Sequence, residues 1–159
     1  MKLSDLTPRA QQVMALAREE AGQSNRPYVG TGQLLLGLIA FGKGICAGIL
    51  KKHGLDLETV RGDIEHIEGR YPEAKFVGGI PFTPRIKEVL ARSRDEATRL
   101  GHKFVGTEHI LLGLLGETEG TVYRIFQLHH LDVEGCRNEI FTEMKLPGPG
   151  PAEGGDTAR

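Results

Sequence analysis

The sequence predicts an all-α fold: a pseudo-twofold duplicated bundle of two four-helix repeats, about eight helices in all. Two observations carry this reading, an ungapped internal repeat and helix signals that recur in both copies. At a fixed shift of 76 residues, Thr7-Pro8-Arg9 aligns with Thr83-Pro84-Arg85, Val29-Gly30-Thr31 with Val105-Gly106-Thr107, and Leu35-Leu36-Gly37-Leu38 with Leu111-Leu112-Gly113-Leu114. Gly44, His53 and Leu55-Asp56 find Gly120, His129 and Leu131-Asp132 in the same register. Residues 7–64 share 23 identities in 58 positions with the second copy, against roughly one in sixteen for unrelated sequences of ordinary composition. The chain is a duplication.

The first helix of each copy opens at Thr7 or Thr83. There a hydroxyl accepts a free backbone N–H, and proline at the first helical position leaves none unpaired. Ala10, Val13, Met14, Ala17 and Ala21 recur at spacings of three and four, as do Ile86, Val89, Leu90 and Ala97. A second, Leu-rich helix starts at Thr31 or Thr107, after a Gly-Thr turn. A short third follows Gly44 or Gly120, and Gly54 ends its first-copy version by tolerating a left-handed backbone. The fourth opens at Asp56 or Asp132. Leu55 and Val60 staple its start in the first copy, and Leu131 and Cys136 in the second, which gives Cys136 a packing role. These elements define one domain over 1–145, with repeat one at about 4–68, a Gly/Pro-rich connector at 69–81 and repeat two at about 82–144. The alternation from Lys75 to Phe82 allows a short hairpin in the connector. The tail at 146–159 has too little apolar surface to offset chain entropy, so disorder or a linker is expected there.

Composition removes several function classes. Lys plus Arg number 20 and Asp plus Glu 21, a net charge of -1, so the basic excess that drives nucleic-acid binding is absent. The longest apolar run, Leu34 to Ala40, falls short of the roughly 20 residues of a membrane helix, and the start lacks a signal-peptide core. No membrane partner and a cytoplasmic location are expected. Cys46 and Cys136 are expected as reduced, buried thiols. Gly37 to Lys43 fits the opening of a phosphate-binding loop, but Gly44 replaces the metal-ligating hydroxyl and the run ends a helix, so the glycines read as a helix stop. No His-Glu-x-x-His occurs, and His53 and His129 read as helix-end or surface residues, so neither metal nor cofactor is expected. Glu19-Glu20, Asp95-Glu96 and Glu117/Glu119 read as solvated helix faces. Neither cysteine is flanked by an activating base, and the chain is not expected to be an enzyme.

The duplicated residues resemble a known family, the amino-terminal domain of Clp-type AAA+ unfoldases, nearest to the ClpC kind. The carriers are Phe82-Thr83-Pro84-Arg85, Glu96-Ala97, Leu100-Gly101-His102 and the string Val105-Gly106-Thr107-Glu108-His109-Ile110-Leu111-Leu112-Gly113-Leu114. With the weaker first copy, the resemblance extends over about residues 4 to 144. It implies a module that recognises substrate proteins and adaptor proteins for an attached ATP-driven ring, the Clp AAA+ unfoldase. The chain is then either the amino-terminal part of such a protein or a free-standing regulator that sequesters adaptors or tagged substrates.

The resemblance also implies two equivalent sites for phosphoarginine, a degradation tag. Each would use a Thr at the start of the first helix and a Glu at the start of the second: Thr83 and Glu108 in the second copy, Thr7 and Gly32 in the first. The chemistry is sound, because a carboxylate takes a guanidinium edge with two charge-assisted bonds and helix N-termini favour a phosphate. Gly32 removes the first-copy carboxylate, and Gln33 replaces the family's His. The plainer alternatives are an ordinary cap for Thr83 and a helix-start charge for Glu108. A surface between the repeats around Phe82 is expected to dock adaptors or apolar ligands, the alternative being a core or staple Phe.

Overall fold

The computed structural model describes residues 2–76 and 78–145. After a 3-10 turn at Leu3–Asp5 come α1 (Pro8–Gln23), α2 (Thr31–Phe41), α3 (Gly44–Lys52) and α4 (Leu57–Glu68). The second copy supplies α5 (Pro84–Arg99), α6 (Thr107–Leu115), α7 (Gly120–Leu128) and α8 (Val133–Lys145). The all-α duplicated architecture is as expected, with no strand of more than an isolated bridge among the described residues. The expected tail, 146–159, lies outside the described residues. The connector forms no hairpin among the described residues; its partner is the first repeat, through Val29.

The caps are where the sequence puts them. Thr7 Oγ1 accepts from Ala10 N at 3.1 Å and Thr83 Oγ1 from Ile86 N at 3.3 Å. Asp56 and Asp132 accept from Thr59 N at 2.8 Å and Gly135 N at 3.0 Å. Leu55, Val60 and Cys136 are buried at these starts and Leu131 half-buried, as stapling requires.

Helices α2 and α6 form the centre. Every residue of α6 is buried, as are Thr31 to Leu38 of α2, and a helix apolar on all sides belongs inside. The outer helices change partners across the pseudo-twofold: α3 packs on α8 and α4 on α7, so the repeats interlock rather than sit side by side. A β-carbon on Gly37 would stand 2.6 Å from the Val13 carbonyl oxygen, and one on Gly113 2.7 Å from that of Val89. These glycines therefore let α1 close onto α2 and α5 onto α6. Gly37 lies inside α2, not in a phosphate-binding loop, and left-handed Gly42 (φ 67) ends the helix. No described helix is long and apolar enough to cross a membrane; α2 and α3 reach that length only together, across a 103° bend.

Candidate functional site

The site is built from two backbone crossings. Thr7 N donates to Val105 O at 2.9 Å and Val105 N to Asp5 O at 2.8 Å. In the equivalent crossing, Thr83 N donates to Val29 O at 2.9 Å and Val29 N to Pro81 O at 2.8 Å. Each cap threonine is thus fastened to the segment entering the central helix of the other repeat. The pairing that the resemblance implies, Thr83 with Glu108 and Thr7 with Gly32, runs within each copy, whereas these backbone crossings run between copies. Thr7 lies along the turn that leads to Glu108, and Thr83 along the one that leads to Gly32. A repeat alignment identifies equivalent positions, but it carries no information on which copy each one meets.

At the Glu108 end, both Thr7 and Glu108 are about 1% exposed. The adjoining His109 is fully buried, and its Nδ1 accepts from Gly106 N at 2.8 Å. With Nδ1 so engaged, Nε2 carries the proton and donates to His102 Nδ1 at 2.8 Å. A backbone N–H thereby sets the tautomer of a histidine pair one residue from the candidate carboxylate.

The other end is closed. A β-carbon on Gly32 would lie 2.9 Å from Ile64 Cδ1 and 3.4 Å from Thr121 Cγ2, so α4 and α7 fill the place of the missing side chain. Gln33 keeps the structural half of the histidine's role, with its Oε1 accepting from Gly30 N at 2.9 Å. Arg26, at the position equivalent to His102, is 3% exposed, pairs with Glu68 at 2.7 Å, donates to Gly69 O at 3.0 Å and covers the Tyr71 ring at 4.7 Å. Thr121 donates to the second Glu68 oxygen at 2.6 Å. Burial, a hydrogen bond with Tyr71 and the Glu68 charge push the Tyr28 hydroxyl up to about 12. The charges of Arg26 and Glu68 thus pair with each other, while the buried Arg26 Nε finds no hydrogen-bond partner among the described residues.

Phe82 is half-buried against the core, with the Arg18 guanidinium 4.5 Å from its ring centroid and Arg18 Nε donating to Ile80 O at 3.1 Å. The open surface lies beside it, in a cavity of about 470 Å³ lined by Arg18, Ile80, Phe76 and the connector.

Several polar residues take roles the sequence reading missed. Glu20 and Glu96 are buried, where a solvated face was expected, and equivalent arginines clamp them: Arg61 to Glu20 at 2.7 Å and Arg137 to Glu96 at 3.1 Å. Buried Glu117 is held by Arg92 at 3.3 Å and Arg85 at 3.6 Å. His53 and His129 do end α3 and α7, and each also reaches across the repeats, to Glu139 at 2.8 Å and Asp63 at 2.7 Å. The signal was available, since both the histidines and the carboxylates recur at the 76-residue shift. Both cysteines are free and buried, and burial pushes the Cys136 thiol up to about 11. No three His, Cys, Asp or Glu side chains among the described residues could share a metal ion.

Comparison with known proteins places these features in a family. The family described as the Clp repeat (R) N-terminal domain matches residues 5–129. The chain is 45% identical over 135 residues to the chloroplastic chaperone protein ClpC of Pisum sativum, covering 84% of this chain and 14% of that protein. It is 46% identical over 135 residues to the ClpA homolog, an ATP-dependent Clp protease ATP-binding subunit, of Guillardia theta, covering 84% of this chain and 16% of that protein. The chain therefore spans about one sixth of the length of these relatives. Among solved structures, the N-terminal domain of the chaperone ClpD from Arabidopsis thaliana superimposes with a TM-score of 0.76 at 22% identity, covering 92% of this chain and 98% of that one. A ClpV N-domain in complex with a VipB peptide does so with a TM-score of 0.64 at 17% identity, covering 87% and 88%.

Proposed function

Because the chain belongs to the Clp repeat N-terminal domain family, we propose that it is a protein-binding module that receives substrates or adaptor proteins for a Clp AAA+ unfoldase and performs no catalysis itself. A fold relative that holds a peptide supports the binding role. We infer further that the module reads phosphoarginine at one site, made from Thr7 of the first repeat and Glu108 of the second.

The observation that carries this reading is the Thr7–Val105 crossing. It fastens the Thr7 backbone to the segment that enters α6, and the Glu108 carboxylate stands in the first turn of that helix. A guanidinium edge suits the carboxylate, and a phosphate suits the N–H groups and the helix dipole. The Thr83–Gly32 end lacks the carboxylate, and Ile64 fills its space. Since Thr7 and Glu108 are buried, the ligand enters as the pocket opens, and association is slower than for a preformed cleft.

The test is a calorimetric titration with free phosphoarginine. A stoichiometry near one is expected. One charge-assisted bond contributes roughly 1.5–3 kcal/mol, so Glu108→Ala should weaken binding about ten- to a hundredfold or more. Thr7→Ala should weaken it as well, whereas Thr83→Ala should leave it unchanged. Two equal sites, or a loss on Thr83→Ala with none on Thr7→Ala, would refute the composite pocket.

A second reading, adaptor docking on the Phe82 surface, is supported by the cavity between Arg18 and the connector. It is tested by Phe76→Ser, which should impair capture of adaptors and spare phosphoarginine binding.

A further inference from the structure

We propose that the groove between the end of α4 and α7 docks an acidic protein segment carrying an aliphatic side chain, at a place separate from the caps of α1 and α6. The groove has a volume of about 330 Å³ and is lined by His66, Ile67, Arg124, Gln127, Leu128 and His130. Leu128 is 53% exposed, and half-buried Ile67 continues the apolar strip into the core. Apolar surface rimmed by polar side chains is the form a protein-binding patch takes.

The duplication supplies an internal control. At the equivalent positions of α3 and α8, Lys52 stands for Leu128 and Glu143 for Ile67, while Gly48, Thr142 and Gly54 stand for Arg124, His66 and His130. There Lys52 is engaged with Glu139 at 3.1 Å. The fold therefore accepts a polar surface at this place, and Leu128, which is exposed where Ile67 packs against the core, answers no packing need of the architecture. The backbone adds an independent sign. His130 adopts φ 51, a left-handed conformation that the first copy assigns to Gly54 at φ 78. A glycine adopts it without strain and a β-carbon does not, yet an exposed histidine stands there, at the rim of the groove.

Charge identifies the partner's chemistry. No carboxylate lines the groove. The nearest ones on α4 are engaged elsewhere: Asp63 by His129 at 2.7 Å, Glu65 by Arg70 at 2.5 Å and Glu68 by Arg26 at 2.7 Å. Arg124, His66 and His130 make no side-chain hydrogen bond or ion pair among the described residues. In a chain of net charge -1, the unbalanced charge of Arg124 and the imidazole rims of His66 and His130 around an aliphatic floor select acidic side chains flanking a leucine or isoleucine.

The experiment uses the isotope-labelled chain and four probes followed by NMR. These are a short peptide of Asp and Glu around a central Leu, the same peptide with Leu replaced by Ser, the same with its acids replaced by Lys, and single-stranded oligothymidylate. The acidic Leu peptide should shift resonances at the end of α4 and along α7, and bind at least about tenfold tighter than the other three. Leu128→Lys, which copies the first repeat, and Arg124→Glu should each weaken it about tenfold or more, because both side chains are exposed and the variants keep the wild-type spectrum elsewhere. Equal binding of the Ser peptide or of oligothymidylate would reduce the groove to a bare cationic patch and overturn the proposal. Shifts confined to another face, no binding at about 1 mM, or self-association of the chain through α7 would overturn it too.

Discussion

Replacing Gly37 by alanine sets two opposed effects against each other at one position. An alanine inside a helix is favoured over glycine by about 0.5–1 kcal/mol, because the unfolded glycine has more freedom to lose. At Gly37 the new β-carbon would stand 2.6 Å from Val13 O and 3.1 Å from Ala17 N, well inside the 3.4 Å where ordinary contact begins. Both neighbours are backbone atoms of α1, so no side chain can swing away and the helices must separate. Overpacking of this kind costs about 1–3 kcal/mol, which leaves Gly37→Ala destabilised by up to about 2.5 kcal/mol, about 1.25 at midrange. The control is Gly48, helical and exposed in α3, where a β-carbon meets nothing within 4 Å. Gly48→Ala should gain the full propensity term, about 0.5–1 kcal/mol. At roughly 2–4 °C per kcal/mol for a chain of this size, the two variants, about 2 kcal/mol apart at midrange, should differ in melting temperature by about 4–8 °C, with wild type between them. Calorimetry or thermal circular dichroism decides it. If Gly37→Ala melts at or above Gly48→Ala, the close approach of α1 to α2 is not the reason for a glycine there.

Three further outcomes are expected. The first concerns acid: the hydrogen bond from His53, reinforced by Lys52, holds Glu139 below its ordinary value, so its contribution to stability is present above the unfolded value and fades as pH falls through the lowered one. Glu139→Gln should accordingly flatten the acid limb of stability against pH, and an unchanged limb would remove Glu139 from the account. Secondly, Ellman's reagent at pH 8 should leave Cys136 unmodified in the native chain and react in denaturant, because burial keeps the thiolate fraction minute; rapid native labelling would contradict that burial. Lastly, a chain cut to residues 1–76 should lack cooperative unfolding, since α3 and α4 take α8 and α7 as partners; a cooperative, helical half would show that the interlock is dispensable.

Much of the fold was legible because it is written locally and twice. Thr7-Pro8 and Thr83-Pro84, or Asp56 and Asp132, are cap signals read within four residues, and the 76-residue shift confirms each by its twin. The site was less legible. The resemblance pairs Thr83 with Glu108 inside one copy, whereas the backbone crossings at Val29 and Val105 join each threonine to the opposite repeat. Those bonds join backbone atoms and leave no mark in side-chain pattern. Gln33 looked like a plain loss of the family's His, whereas its amide accepts the same Gly30 N–H that the histidine accepts at Gly106. Glu20 and Glu96 read as solvated because their arginine partners lie 41 residues away, beyond any local window.

The two crossings also bear on how such a chain evolves. Because they use only main-chain atoms, drift of the side chains around them leaves the joint intact, and one pocket can fall silent without loosening the architecture. On the composite reading, the surviving pocket still draws its hydroxyl from one ancestral unit and its carboxylate from the other. Loss of one pocket does not release either unit from selection, and deleting a unit removes half of what remains. On that reading a single unit carries either the hydroxyl or the carboxylate of the working pocket, never both.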